Sequence, residues 1–132
     1  MELSVLPELL AVCQLSPDEE LPPWAGQSDL LAVIRDGDEL TIVCAQRFVP
    51  PGVQAEQGWR ALKISGPLDF SLVGVLAELA ATLAQAGVSI FALSTYSTDY
   101  ILVKDEVLEH AIRALRSSGH LISLVSRLDQ AG

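Results

Sequence analysis

The stretch "GPLDFSLVGVLAELAATLAQAGVSIFALST", residues 66–95, decides the fold, because its hydrophobic period changes within it. From about Ser71 to Ala86, Leu72, Val75, Leu76, Leu79 and Leu83 recur at three- and four-residue spacing, so a helix would gather them into one apolar stripe. Gly87 follows as the residue that takes a left-handed conformation without steric cost and ends the helix. The run VSIFALS, residues 88–94, then reads as a strand.

Working outward, WRALKIS (59–65) predicts a strand before this helix, and DYILV (99–103) one after VSIFALS. A second helix is expected from Asp105 to about Ser118, with Val107, Leu108, Ala111, Ile112 and Leu115 inside and Glu106, Glu109, Arg113 and Arg116 outside. Acids in its first turn and arginines near its end suit the helix dipole, and Gly119 stops it. HLISLVSRL (120–128) sets Leu121, Ser123, Val125 and Arg127 against Ile122, Leu124 and Ser126, a strand with one wetter face. Strand, helix, strand, strand, helix, strand is the order of a ferredoxin-like α+β sandwich, one antiparallel sheet with both helices on a single face. VSIFALS and DYILV are apolar on both faces, so the second face needs a cover, either the N-terminal strands or a second copy of the chain, and a homodimer is expected.

The preceding residues follow a different pattern. LSVL, ELLAVCQL, DLLAVI and ELTIVCA read as short strands without a long amphipathic helix, interrupted by the acidic, proline-rich SPDEELPPWAG. Arg35-Asp36-Gly37-Asp38 predicts a hairpin turn in which the central residues take positive φ. RFVPPGVQAEQ (47–57) reads as a linker, which divides the chain into units 1–57 and 58–132.

Composition excludes several functions. Half of the residues are hydrophobic, yet no apolar run reaches the roughly 18 residues of a membrane span. Seventeen acids against eight bases give a charge of -9, which repels nucleic-acid phosphates and anionic lipid, so neither nucleic acid nor membrane is an expected partner. Glu2 and Glu8 stand where a signal peptide would be basic, and a cytoplasmic location is expected. Cys13 and Cys44 lie in apolar segments and form no CxxC pair, as buried reduced thiols do. Glu106 and His110 share a helical spacing but lack a third ligand, and His120, at a strand start, reads as a surface or capping residue. With no nucleophile elbow, phosphate loop or Cys-His pairing, no catalytic residue, metal or cofactor is expected, and the chain reads as a non-enzyme.

Two clusters suit a zwitterionic ligand, which needs donors for its carboxylate and acceptors for its ammonium. Gly66-Pro67-Leu68-Asp69-Phe70-Ser71 leads into the first helix, whose first amides lack internal partners and favour an anion. Asp69 would accept from an ammonium or act as a cap or turn residue; Phe70 would wall the pocket or fill the core. In "FALSTYSTDYILVKD", residues 91–105, Ser94, Thr95 and Thr98 offer hydroxyls, and Asp99 a charge for an ammonium or a cationic side chain. The alternative is a wet turn whose polar side chains bond their own backbone.

These residues carry a resemblance. GPLDFSLVGVLAELAATLAQAGVSIFALST followed by TDYILV resembles an ACT domain. More narrowly, ELTIVCAQRFVP, GWRALKISGPLDF and SIFALSTYSTDYILV, in that order, resemble small bacterial ACT-type amino-acid-binding proteins related to the cytosolic Castor-type arginine sensors, over residues from about 29 to 125. The resemblance implies tandem ACT-like units, the N-terminal one degenerate, with an amino acid bound at a unit or dimer interface by Leu68, Asp69, Phe70, Ser71, Ser94, Thr95, Thr98 and Asp99. It implies a stand-alone sensor acting on an unidentified regulated protein; the alternative is a ligand-free interaction module that uses the sandwich to dimerise.

Overall fold

A computed structural model of the chain describes residues 1–65 and 74–125. Its strands are β1 (Glu2–Val5), β2 (Leu10–Leu15), β3 (Ala32–Arg35), β4 (Leu40–Ala45), β5 (Gln54–Ile64), β6 (Phe91–Ser94), β7 (Asp99–Lys104) and β8 (Leu121–Leu124), and its α-helices are α1 (Val75–Gln85) and α2 (Leu108–Ser117). They form two compact units, Glu8–Trp59 on the one hand and Met1–Pro7 with Arg60–Gly132 on the other, so β5 contributes one half to each. The fold is α+β in two tandem units, as expected, and the described residues of the first contain no α-helix.

In the second unit β5, α1, β6, β7, α2 and β8 follow one another in the ferredoxin-like order. Strand β1 joins them, antiparallel to β5 (Leu3 opposite Ile64, Val5 opposite Leu62) and parallel to β8 (Leu3 opposite Ile122, Val5 opposite Leu124). Leu3 and Val5 are fully buried and pack in one cluster with Leu62, Ile64, Leu79, Leu83, Ile101 and Leu115. This division differs from the expected one at residue 57 mainly in β1: its alternating apolar residues fill the inner face of the helix-bearing sheet.

Both helices turn the expected faces inward. Leu79 and Leu83 of α1 are buried and Val75 and Leu76 partly so, while the expected Leu72 lies outside the described residues. Leu108, Ala111, Ile112 and Leu115 of α2 are buried. Each helix stops as the glycines predict: Gly87 (φ 76°) and Gly119 (φ 94°) are left-handed, and the following amides of Val88 and His120 return to the carbonyls of Leu83 and Leu115 at 2.9 and 3.1 Å. That bond commits Val88 to the helix end, so the strand expected from residue 88 begins only at Phe91. In β8 Ile122 is buried, but Leu124, expected on the same side, is 68% exposed, as is Leu121; among the described residues the strand pairs with β1 alone, at a sheet edge. His120, expected at the surface, is buried, its Nε2 3.9 Å from the Glu78 carboxylate.

The Glu8–Trp59 unit is an antiparallel sheet in the order β3, β4, β2, β5, with 3-10 turns at Pro23–Gln27 and Gln46–Phe48. Ala11, Cys13, Ala25, Leu40, Ile42 and Cys44 form its core. The β3–β4 hairpin exists as predicted, with Arg35 opposite Leu40, but by other means. Gly37 is not in the positive-φ region; instead Asp36 Oδ1 accepts the amides of Asp38 and Glu39 at 2.7 and 2.9 Å, an Asx turn. The segment 47–57 is only partly a linker, because Gln54 to Gln57 already belong to β5, where Gln54 lies opposite Gln14 and Glu56 opposite Val12.

Cys13 and Cys44 are both buried. The neighbouring Cys44 thiol, then burial, push Cys13 far above the ordinary thiol range, whereas Cys13 lowers Cys44 against the raising effect of burial. Because only the thiolate is nucleophilic, iodoacetamide at about pH 8 should leave Cys13 unmodified in the folded chain and label both cysteines after unfolding in urea; mass spectrometry of the alkylated protein reads this out. Truncating the fully buried Leu83 to alanine should cost about 2–5 kcal/mol in urea unfolding, the usual range for a core leucine.

Candidate functional site

The polar cluster of residues 94–99 closes the β6–β7 hairpin, in which Ser94 lies opposite Asp99. Thr95 folds the turn: its amide donates to the Thr98 carbonyl at 2.8 Å, its hydroxyl donates to the same oxygen at 3.1 Å, and the amides of Ser97 and Thr98 donate to its Oγ1 at 3.3 and 3.1 Å. The Ser94 hydroxyl donates to Asp99 Oδ1 at 2.6 Å. Tyr96, at the tip, is 84% exposed.

Thr98 is different because it is buried, only 7% exposed, and its hydroxyl donates to the Ile64 carbonyl at 2.5 Å. That bond fastens the hairpin turn to Ile64, the last residue of β5. Beside it the Lys63 ammonium lies 5.7 Å from the centre of the half-buried Tyr100 ring, a cation–π contact.

Four of the predicted site residues, Ser94, Thr95, Thr98 and Asp99, are therefore gathered at one turn, whereas Leu68, Asp69, Phe70 and Ser71 lie outside the described residues. Chemically the turn presents one partly buried carboxylate, whose Oδ1 is engaged by Ser94 and whose Oδ2 takes no hydrogen bond from the described residues. Two contributors escape sequence reasoning. The Ile64 acceptor is a main-chain carbonyl, which every residue type carries; Lys63 has a weak signal, its place one residue out of phase with the buried Leu62 and Ile64. His110, weighed above with Glu106, instead pairs its ring Nε2 with the Ala86 carbonyl at 2.8 Å, tying α2 to the end of α1. Among the described residues, no helix is long and apolar enough to cross a membrane.

Comparison with known proteins places this geometry in context. The family profile described as ACT domain matches residues 54–117, and a second, describing an N-terminal domain, matches residues 8–52. A crystal structure of an Agrobacterium tumefaciens protein is 31% identical, with a TM-score of 0.90 over 96% of this chain and 94% of that one. The regulatory subunit of aspartate kinase from Thermus thermophilus superposes with a TM-score of 0.62 over 89% of this chain and 96% of that one; at 15% identity it shows a shared fold alone. The human cytosolic arginine sensor for mTORC1 subunit 1 is 36% identical over 59 residues, which are 44% of this chain and 18% of that protein. This chain thus matches less than a fifth of the sensor's length.

The Thr98–Ile64 bond yields a direct test. Thr98→Val keeps the shape but leaves the Ile64 carbonyl buried without its donor, and should lower stability by about 1–3 kcal/mol in urea unfolding.

Proposed function

Because the chain belongs to the ACT-domain family, we propose that it is a stand-alone regulatory protein that binds a free amino acid and passes the binding on as a change in assembly. The observation that carries this reading is the buried Thr98–Ile64 hydrogen bond, which holds the Asp99 turn at the end of β5, two residues before position 66 in the sequence. On this reading Leu68, Asp69, Phe70 and Ser71 line one side of the ligand, Asp69 or Asp99 receives its ammonium, and Ser94, Thr95 and Thr98 line the hairpin side. The stretch shared with the arginine sensor makes arginine the first amino acid to try, and the charge of -9 favours a cationic one.

A second copy of the chain is the proposed partner for the interface, in the cytoplasm, with a regulated protein downstream. Signalling is by population shift: the ligand stabilises whichever assembly it binds better, by the difference in its affinities. A competing reading, a ligand-free dimerisation module, draws on the turn itself, since Thr95 and Thr98 are bonded to main chain and Asp99 to Ser94.

A thermal-shift screen of the twenty amino acids at millimolar concentration separates the two. A ligand at about 100 times its Kd adds roughly 2.7 kcal/mol to folding stability, and melting temperature rises accordingly. No shift with any amino acid favours the dimerisation module. For a ligand that does shift the transition, Asp69→Ala and Asp99→Ala should each abolish the effect while the unliganded melting curve stays cooperative; unchanged binding in both would reject this placement of the site.

A further inference from the structure

The Glu8–Trp59 unit holds a groove that the amino-acid reading does not use. It measures about 670 Å³ and lies between the Ser16–Trp24 loop and the Gly52–Gln54 segment, well within the roughly 300–1,000 Å³ of small-molecule sites. Its apolar wall is Leu15, Trp24 and Val53, each half-buried and packed on the unit's core. Glu19 and Glu20, both exposed, stand on its rim, and no Lys or Arg lines it.

Those two carboxylates are uncompensated, because among the described residues no cation lies within ion-pair distance of either. The guanidinium that reaches this loop, Arg35, is committed to main chain: it donates to the carbonyls of Pro17 and, at 2.6 Å, of Glu19. It therefore fixes the loop without neutralising it. The Glu19 amide adds a 3.1 Å bond to the Ser16 carbonyl, the Ala25 amide another of 3.1 Å to Pro22, and Pro17, Pro22 and Pro23 restrict the chain further. A rigid aromatic and aliphatic wall beside two unpaired carboxylates is chemistry for a cation with an apolar body.

We propose that this groove binds a small organic cation, an ammonium or guanidinium on a short aliphatic stem, with the charged head at Glu19 and Glu20 and the stem along Trp24. The carboxylates are exposed, so the affinity is modest, with Kd on the order of 1 mM, and falls as salt is added. The site lies wholly in the helix-less unit and stands or falls independently of the amino-acid site.

The test uses the full chain labelled with 15N and follows its two tryptophan indole signals, the Trp24 signal being assigned by its loss in Trp24→Phe. Butylguanidinium is the probe and neutral butylurea its near-isosteric control. The expected result is a saturable shift of the Trp24 signal with butylguanidinium only, and binding weaker by at least about fivefold in the Glu19→Gln, Glu20→Gln double variant. An unaltered Trp59 signal in that variant shows that the fold is retained. The proposal is overturned by no saturable shift, by an equal response to butylurea, or by undiminished affinity in the double variant.

Discussion

Most of this structure depends on where two side chains are buried. Leu3 and Val5 insert into the inner face of the ferredoxin-like sheet and are completely removed from water, an effect of about 1.5–3 kcal/mol for each fully buried side chain of this kind. With β1 held there between β5 and β8, the chain must leave the second unit after Pro7 and return at Arg60. Arg60 secures that junction: its guanidinium donates to the Leu6 carbonyl from Nε and Nη2 at 3.1 and 3.0 Å, and its Nη1 meets Asp105 at 3.1 Å. Leu6 answers with its own amide on the Ala61 carbonyl at 2.9 Å. The degenerate unit is therefore an excursion from the ACT sandwich with its exit and return pinned together.

The parts of the fold legible in the sequence are those whose signal is local. The stripes of α1 and α2 and their glycine stops depend on spacing within each helix, and they appear where the period puts them. Non-local pairing is a different matter. Nothing in LSVL says that its partners are Ile64 and Ile122, far along the chain, so the sequence assigns it to its neighbours in order. The start of β5 is hidden for a related reason: Gln54, Glu56 and Gln57 are exposed, and their strand is held by main-chain bonds that leave no mark in side-chain composition. The β3–β4 turn shows a third case, a correct signal with another mechanism, since Asp36 satisfies two amides with its side chain and Gly37 need not take positive φ.

At the hairpin, composition alone reveals a polar cluster but not how its groups are engaged. Thr98 looks like one more turn hydroxyl; burial and the Ile64 carbonyl make it the link between the turn and the end of β5. Asp99 looks like a free charge, yet one of its oxygens already receives Ser94. A ligand ammonium at Asp99 would add a charge-assisted bond to that carboxylate rather than meet an empty one, and such bonds are roughly twice as strong as neutral ones. Preorganisation of this kind helps binding, because the acceptor is oriented before the ligand arrives.

The two units also differ in the donors and charges they present. A helix start offers unpaired amides and a partial positive charge, so a sandwich with two helices has main-chain donors for a carboxylate. The Glu8–Trp59 unit has no α-helix among its described residues, and the basic side chain closest to its proline-rich loop, Arg35, is occupied by carbonyls. What remains at its groove is two carboxylates, amide side chains and an indole, none of which can balance an anion. Without an α-helix this unit lacks those main-chain donors, and both charged side chains that line its groove are acidic.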